Sequence, residues 1–378
     1  MDRNEVLIVG GGIAGLTAAI HLAHSGIAVT VVEKHSYPRH KVCGEYISNE
    51  VLPYLESLDI DVASLGASQI NQTEISTIDG KTISSTLPLG GFGISRFTFD
   101  HHLYQKALAC GCRFVFETVT GIAFADEKFT VTLSDTSQIY TGVVLGAFGK
   151  RSNIDQKMNR RFFEQKSAWL AVKAHYKGNF PSNVVALHNF NGGYCGVSKV
   201  EKDTTNICYL ANYNTFKRYR NISDYQHEVV CKNANLKKIF SESTLLLDKP
   251  LTISQVSFRP KLPVENHVLM IGDSAGLIHP LCGNGMAMAI HSAKVASEMV
   301  INFLDLKTSR STLEAGYTIE WNRQFNRRMH AGRVLAKLLQ TKSVSAIMMR
   351  ALIAFPMILP QIIKRTHGKP ITAQYDND

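Results

Sequence analysis

VLIVGGGIAG (residues 6–15) and, about 260 residues later, HVLMIGDSAGLIHPLCGNGMAMAI (residues 267–290) carry the two glycine-centred turns on which the fold turns. The first reads as a strand, Glu5 to Val9, a Gly10-x-Gly12-x-x-Gly15 turn, and a helix from Ile13 to Ser25 leading to a second strand, Ala28 to Val32, that ends in Glu33. Glycine is needed there because the backbone must turn tightly and come close to a pyrophosphate, whose charge then meets the helix N-terminus. Glu33, eighteen residues beyond Gly15, is placed to accept hydrogen bonds from a ribose. Alone, the pattern says only "dinucleotide". The second segment distinguishes FAD from NAD: a strand, Val268 to Ile271, ends in Gly272-Asp273, whose carboxylate suits the ribityl hydroxyls of a flavin. Gly283-Asn284-Gly285 then opens a long apolar helix near Met286, and the partial positive charge at its N-terminus suits the negative pyrimidine edge of a reduced flavin.

The 378 residues, 45% hydrophobic, are enough for two lobes around sizeable cores. Seven cysteines form no C-x-x-C pair, and the odd count without a secretory segment predicts reduced thiols in a cytoplasm. No metal-ligand spacing is present; His21 and His24 share a helix face but lack a third ligand and read as solvated. The net charge of +10 is concentrated in one stretch: Trp321 to Pro370 holds ten Lys or Arg and no Asp or Glu. There Phe325, Met329, Leu335, Leu338 and Leu339 fall near one helical face, with Arg327, Arg328, Arg333 and Lys337 largely elsewhere, an amphipathic basic helix. Val344 to Ile363 is long enough to span a membrane, but Arg350, Pro356 and Pro360 favour short helices that cap the core or lie on a membrane surface. Residues 321–370 are thus a candidate peripheral membrane contact, at the inner face; nucleic acid is not expected, since no reading module accompanies the charge.

Between the flavin segments, a helix around Arg96 is signalled by Asp100 followed by HHLYQKALA and stops at Gly111. Strands Arg113 to Val119, Phe129 to Leu133 and Ile139 to Ala147 suggest a small antiparallel meander, and WLAVKAHY, VVALHNF, GYCGVSKV and TNICYLA a second antiparallel sheet from Trp169 to Asn212. Tyr219 to Phe240 reads as helix. The fold class is α/β: a discontinuous Rossmann-like FAD-binding domain (1–67, 92–160 and 256–305), an inserted antiparallel-sheet substrate domain (68–91 and 161–255), and a helical basic C-terminal region (306–378).

Three ordered motifs then give a resemblance over roughly residues 4 to 300: PRHKVCGEYIS (Pro38 to Ser48), GFGISRFTFDHHL (Gly91 to Leu103) and GDSAGLIHPLCGNGM. Together they resemble flavoprotein monooxygenases of the para-hydroxybenzoate hydroxylase fold, within them the geranylgeranyl reductase and flavin-halogenase branch. The resemblance implies that Arg96 reaches the FAD and that Cys43-Gly44-Glu45 lies near the flavin ring facing substrate, with Cys43 and Glu45 as candidate catalytic groups. The cofactor set expected from motif and resemblance is Gly10, Gly12, Ile13, Ala14, Gly15, Glu33, Lys34, Lys41, Cys43, Gly44, Arg96, Val119, Gly272, Asp273, Gly283, Asn284, Gly285 and Met286. The other reading of Cys43 and Glu45 is a packed thiol and a helix cap.

Departures from the branch narrow the chemistry. The halogenase Trp-x-Trp-x-Ile-Pro signature is missing, since Trp169 and Trp321 lie far apart, which disfavours halogenation. The hydroxylase motif Gly-Ala-Asp-Gly, associated with pyridine nucleotide, reads Gly146-Ala147-Phe148-Gly149 here, followed by Lys150 and Arg151, so NADPH is one candidate electron donor and direct use of it is in doubt. The expected activity is that of an FAD-dependent oxidoreductase acting on an apolar or aromatic small molecule (lipid, polyketide or isoprenoid), by hydride reduction of a double bond or by flavin hydroperoxide monooxygenation. The alternative is a non-enzymatic, membrane-docked flavin carrier. Oligomeric state is not readable from the sequence.

Overall fold

A computed structural model describes residues 5–164, 167–219, 221–279, 282–306, 308–340, 350–352, 354–355 and 357–372. Strands Val264–Glu265, Val268–Met270, Val143–Gly146, Glu5–Val9, Ala28–Val32 and Arg113–Val115 form a six-stranded sheet in that order. All its pairs are parallel except the first. Val143–Gly146 is buried at every position, as a parallel strand covered on both faces requires. Because Glu5–Val9, Val143–Gly146 and Val268–Met270 run the same way, the glycine turn, Ala147–Lys150 and Gly272–Asp273 leave the sheet at one edge, where α/β sheets bind ligands. Helices Ile13–His24 and Gly285–Leu306 pack against each other and begin at that edge.

The second sheet has nine strands and is mainly antiparallel, with one parallel pair, Val184–His188 on Gln72–Ser76. Its strands alternate strictly between two environments. Leu170, Val172, Ala174 and Tyr176 face a core closed by Tyr225, Val230 and Leu236 from the helical segments beyond. Trp169, Ala171, Lys173 and His175 lie on the opposite face, in register with Asn212, Leu210, Cys208 and Asn206. Strand Tyr46–Ser48 pairs with Gly91–Gly93 at the sheet's end, so the segment that follows Cys43-Gly44-Glu45 is stitched into this sheet.

Several sequence expectations change here. Arg113–Val115 and Val143–Gly146 belong to the parallel sheet, and the three-stranded antiparallel sheet is Val119–Ala125, Lys128–Leu133 and Gln138–Thr141. The helix expected around Arg96 starts at that residue, but its signal is Ser95, whose Oγ accepts from the Thr98 N–H, and Asp100 is fully buried within the helix. Tyr219 to Phe240 is not one helix but Ile222–Glu228 and Ala234–Ser241, because Asn233 takes an extended conformation and its side chain caps the N–H groups of Asn235 and Leu236. His21 is not solvated: Nδ1 lies 2.8 Å from Tyr54 Oη, and burial lowers its pKa to about 4.

The C-terminal region is a 31-residue helix, Arg310–Gln340, followed by Ile358–Thr366. Phe325 and Met329 are buried as the helical pattern requires, but Arg328 is buried with them rather than solvated, for it pairs with the fully buried Glu50 at 2.9 Å. Pro360 does not break the last helix; it sits in the first turn, where a missing N–H costs nothing. The side chains of Leu335, Lys337, Leu338 and Leu339, residues 341–349 with Lys342, and Pro356 lie outside the described residues.

Arg160 is fully buried and ties three segments together. It pairs with Asp155 at 2.8 Å and Glu265 at 2.5 Å, and donates to the carbonyls of Ser274 at 3.0 Å and Leu262 at 3.2 Å. Replacing it by leucine leaves the Asp155 carboxylate buried with the Ser152 N–H at 2.7 Å but without its paired cation, so Arg160→Leu is expected to lose about 3–5 kcal/mol of stability. Urea unfolding of the flavin-free protein checks this; a loss below about 1 kcal/mol, the size of an ordinary surface change, contradicts it.

Candidate active site

At the edge of the parallel sheet the glycines do two different jobs. Gly10 holds a φ of 110°, and a Cβ on it would lie 2.4 Å from the Ala147 carbonyl oxygen; a Cβ on Gly15 would lie 2.0 Å from the Gly10 oxygen. These two let helix and strands close onto one another. Gly12 is different: the nearest atom to an added Cβ is Arg96 Nη2 at 3.7 Å, so the space before it is open. Gly12 is also the N-cap of the first helix, with no side-chain cap and no acid in the first turn. The N–H groups of Ile13 and Ala14 therefore face a cradle suited to an anion. Helix Gly285–Leu306 likewise lacks an acid in its first turn. Gly272 joins the two, since its Cβ would lie 2.9 Å from that of Ala14. Asp273, half-buried at the strand end, accepts no side-chain hydrogen bond among the described residues, which leaves its carboxylate for hydroxyls. These groups fit the pyrophosphate, ribityl chain and ring of FAD.

Glu33 is buried at the end of its strand and accepts from the Gly11 N–H at 2.8 Å, the His35 N–H at 3.1 Å and Arg39 at 3.2 Å. It braces the glycine turn as well as standing where a ribose would bind. Arg96 and Lys41 converge on the fully buried Asp100, at 2.6 and 2.7 Å. Burial pushes the Asp100 carboxyl up, but the two cations outweigh it and hold it below its ordinary range. Arg96 in turn interacts with Cys43, placing that thiol beside the cradle. Lys34 is exposed after the second strand, and Val119 is buried at the start of the three-stranded sheet; no hydrogen bond or ion pair among the described residues joins either side chain to the group.

Cys43 is half-buried and Gly44 exposed, with nothing within 4 Å of where a Gly44 Cβ would stand. Glu45 is fully buried at a positive φ of 53°. Its Oε1 accepts from Lys173 Nζ at 3.0 Å and the Arg96 N–H at 2.9 Å, and its Oε2 lies 2.6 Å from His175 Nε2. Asn206 donates to the carbonyls of Cys43 at 3.2 Å and Gly44 at 2.8 Å. The sequence reading missed Lys173, His175 and Asn206. The signal for them was present in WLAVKAHY and TNICYLA, as polar residues at alternate positions on the face opposite the apolar ones. Further along that face, Ala171, Tyr194 and Leu210 form an apolar cluster with Val42, Trp169, Leu187, Ile253 and Phe258. His279 of the flavin loop packs its ring 4.5 Å from that of Phe258, and burial lowers its pKa to about 4, so it is neutral.

Lys150 and Arg151 are both engaged with the protein. Lys150 donates to the Val42 carbonyl at 3.4 Å, and Arg151 stacks 3.6 Å over the Phe163 ring. Among the described residues no cluster of His, Cys, Asp or Glu could hold a metal ion.

The glycine cradle, the open carboxylate and the paired helix N-termini agree with sequence comparison, in which residues 3–323 match the FAD-binding domain family. The chain belongs to that family. It is an FAD-dependent oxidoreductase. It is 24% identical to tryptophan 2-halogenase of Chondromyces crocatus, over 79% of this chain and 61% of that one, less than two thirds of its length. It is 23% identical to digeranylgeranylglycerophospholipid reductase of Thermoplasma volcanium, over 79% of this chain and 78% of the other. The solved structure of the flavin-dependent brominase Bmp2 superposes with a TM-score of 0.79 at 17% identity, covering 96% of this chain and 92% of that one, which shows a shared fold.

Burial alone would raise the Glu45 carboxyl, but the hydrogen bond with His175 and the charge of Lys173 outweigh it and lower its pKa below the ordinary 4.5. A depressed carboxyl contributes stability that is present above its unfolded pKa and lost as pH falls through the folded one. Glu45→Gln should therefore be less stable than the parent at neutral pH, and the gap should narrow on acidification below pH 4.5. Thermal melts from neutral to acid pH decide it; parallel curves contradict it.

Proposed function

We propose that this flavoprotein reduces a carbon–carbon double bond of an apolar small molecule: a lipid, polyketide or isoprenoid. One observation carries the reading. The sheet face that grips Cys43-Gly44-Glu45 continues directly into the apolar cluster around Trp169, Tyr194, Leu210 and Phe258. A proton-bearing group and a greasy wall therefore share one surface beside the flavin loop. When bound, FAD supplies the hydride, reloaded by an external two-electron donor. The aromatic and aliphatic side chains hold the substrate and exclude water. Cys43, half-buried beside Arg96 and fixed by Asn206, is the group positioned to give the matching proton to the second carbon. Glu45 acts through its neighbours: with both oxygens engaged, it orients Lys173 and His175 beneath that segment. The relative named as a reductase also matches this chain over a larger share of its own length, 78%, than the halogenase does, 61%.

The C-terminal region supports a peripheral membrane contact that would serve such a substrate. Phe355, Met357 and Ile358 are 64%, 85% and 43% exposed. Around them Arg350, Lys364, Arg365 and Lys369 are exposed, and no acid lies between residues 321 and 370. No helix among the described residues is long and apolar enough to cross a membrane. Basic residues flanking exposed apolar ones suit an anionic bilayer surface.

Cys43→Ala is expected to slow anaerobic transfer from reduced flavin to a bound unsaturated substrate by about 100-fold or more, while chemical reduction of its flavin stays as in the parent. Incorporation of labelled oxygen into product, in place of a saturated product, overturns the reductive reading and favours oxygenation. For the tail, flotation with anionic liposomes at low salt should carry the full chain and fail for a Phe355→Asp, Met357→Asp double variant. Equal flotation of the two, or none by the parent, removes the membrane contact.

A further inference from the structure

A buried polar hub joins the flavin loop to the C-terminal region, and nothing in the proposed reaction uses it. Glu50 is fully buried just after strand Tyr46–Ser48. Its carboxylate accepts from Arg328 Nη1 at 2.9 Å and from the Gly368 N–H at 2.5 Å. Asn284 Nδ2 lies 3.5 and 3.4 Å from its two oxygens and donates at 3.1 Å to the Thr366 carbonyl. The Ile371 N–H donates to the Glu50 carbonyl at 2.7 Å. Asn284, fully buried, is the middle residue of Gly283-Asn284-Gly285. The hub uses its Nδ2 and leaves Oδ1 without a partner among the described residues.

The fit around the hub is close. A Cβ on Gly368 would lie 2.2 Å from Arg328 Nη2, so any side chain there would push the guanidinium from its place. Helix Arg310–Gln340 lies against the flavin loop in the same way. A Cβ on Gly332 would lie 3.0 Å from Cys282 Sγ, and one on Gly276 would lie 2.8 Å from the Met329 terminal methyl. A buried Glu–Arg pair is weak evidence for stability, because desolvation offsets much of its attraction and apolar residues would fill the same space. What it provides is a fixed direction for each donor and acceptor, and here those directions end on Asn284.

We propose that Glu50 and Arg328 are positioning residues for the flavin: with Thr366–Gly368 they lock Asn284, and so hold Gly283–Met286 in the conformation that presents the helix N-terminus to the ring. The proposal rests on the placement of that loop beside the flavin, and it makes the C-terminal segment part of the cofactor site although it touches no cofactor itself.

The test is FAD binding by the full-length chain, followed by fluorescence quenching and by the visible flavin spectrum, neither of which needs a substrate. Asn284→Ala, Glu50→Gln and Arg328→Met should each raise the FAD dissociation constant by about tenfold or more and shift the flavin bands, and a Glu50→Gln, Arg328→Met double variant should cost less than the two singles summed. Arg328→Lys, which keeps the charge, should recover part of the loss. Gly368→Ala perturbs the hub while retaining both charges, and should weaken FAD in the same direction; it carries the test if Arg328→Met does not fold. If Asn284→Ala binds FAD as the parent does, the loop placement and the proposal fall together. If Asn284→Ala weakens FAD while the Glu50 variant, and either Arg328→Met or Gly368→Ala, bind it normally with an unchanged spectrum, the loop placement stands and the positioning role is overturned.

Discussion

Everything at the cofactor edge depends on a place where backbone must touch backbone. Gly10, Gly15 and Gly272 sit where strands Glu5–Val9, Val143–Gly146 and Val268–Met270 end beside the first helix, and each lacks room for a methyl group. With that contact made, two helix N-termini stand bare beside one cradle and the Asp273 carboxylate stands between them. An added side chain at any of the three would separate the layers, while Gly12 keeps open the space a phosphate needs. The parallel sheet, its crossing helices and the second sheet are arranged around that one close approach.

Four buried carboxylates share one arrangement, while among the described residues Glu201 is held by the Ser95 and Thr98 donors alone. Buried carboxylates occur where separate segments meet: Asp100 with Arg96 and Lys41, Asp155 with Arg160, Glu45 with Lys173 and His175, and Glu50 with Arg328. Each is paired, as burial demands. Each also joins residues distant in sequence, apart from the local Arg96–Asp100 and Asp155–Arg160 contacts, which extend to Lys41 and to Glu265 and the Ser274 carbonyl. Desolvation makes such pairs poor sources of net stability, but their directional bonds fix how loops sit on a packed scaffold.

The parts legible in the sequence are those written in local pattern. The glycine spacing, the strands flanking it and the apolar helix after Gly285 are dictated by backbone sterics and periodicity over a few residues, and Glu5–Val9, Ala28–Val32 and the Ile13 start appear where that pattern puts them. Less legible were features set by partners far along the chain. Arg328 has the sequence signature of a solvated basic helix, and its burial depends on Glu50, 278 residues away. Lys173 and His175 look like ordinary strand residues until Glu45, 128 and 130 residues earlier, is brought against them. Asp100 looks like a start signal for its helix until Lys41, 59 residues earlier, is brought against it in the interior. Val143–Gly146 was misread because a short apolar run suits either sheet until its neighbours are known.

The Glu50 hub also bears on the order in which contacts form during folding. The glycine turn and its flanking strands close over about thirty residues, a short loop that forms early. The bond from Gly368 to Glu50 closes a separation of 318 residues. The first strand, turn, helix and second strand can therefore assemble from local sequence, whereas Asn284 is fastened only after segments hundreds of residues apart have met. Fastening the Asn284 loop is thus a late, long-range step of folding, and the firmness with which it is held reports on packing across most of the described residues.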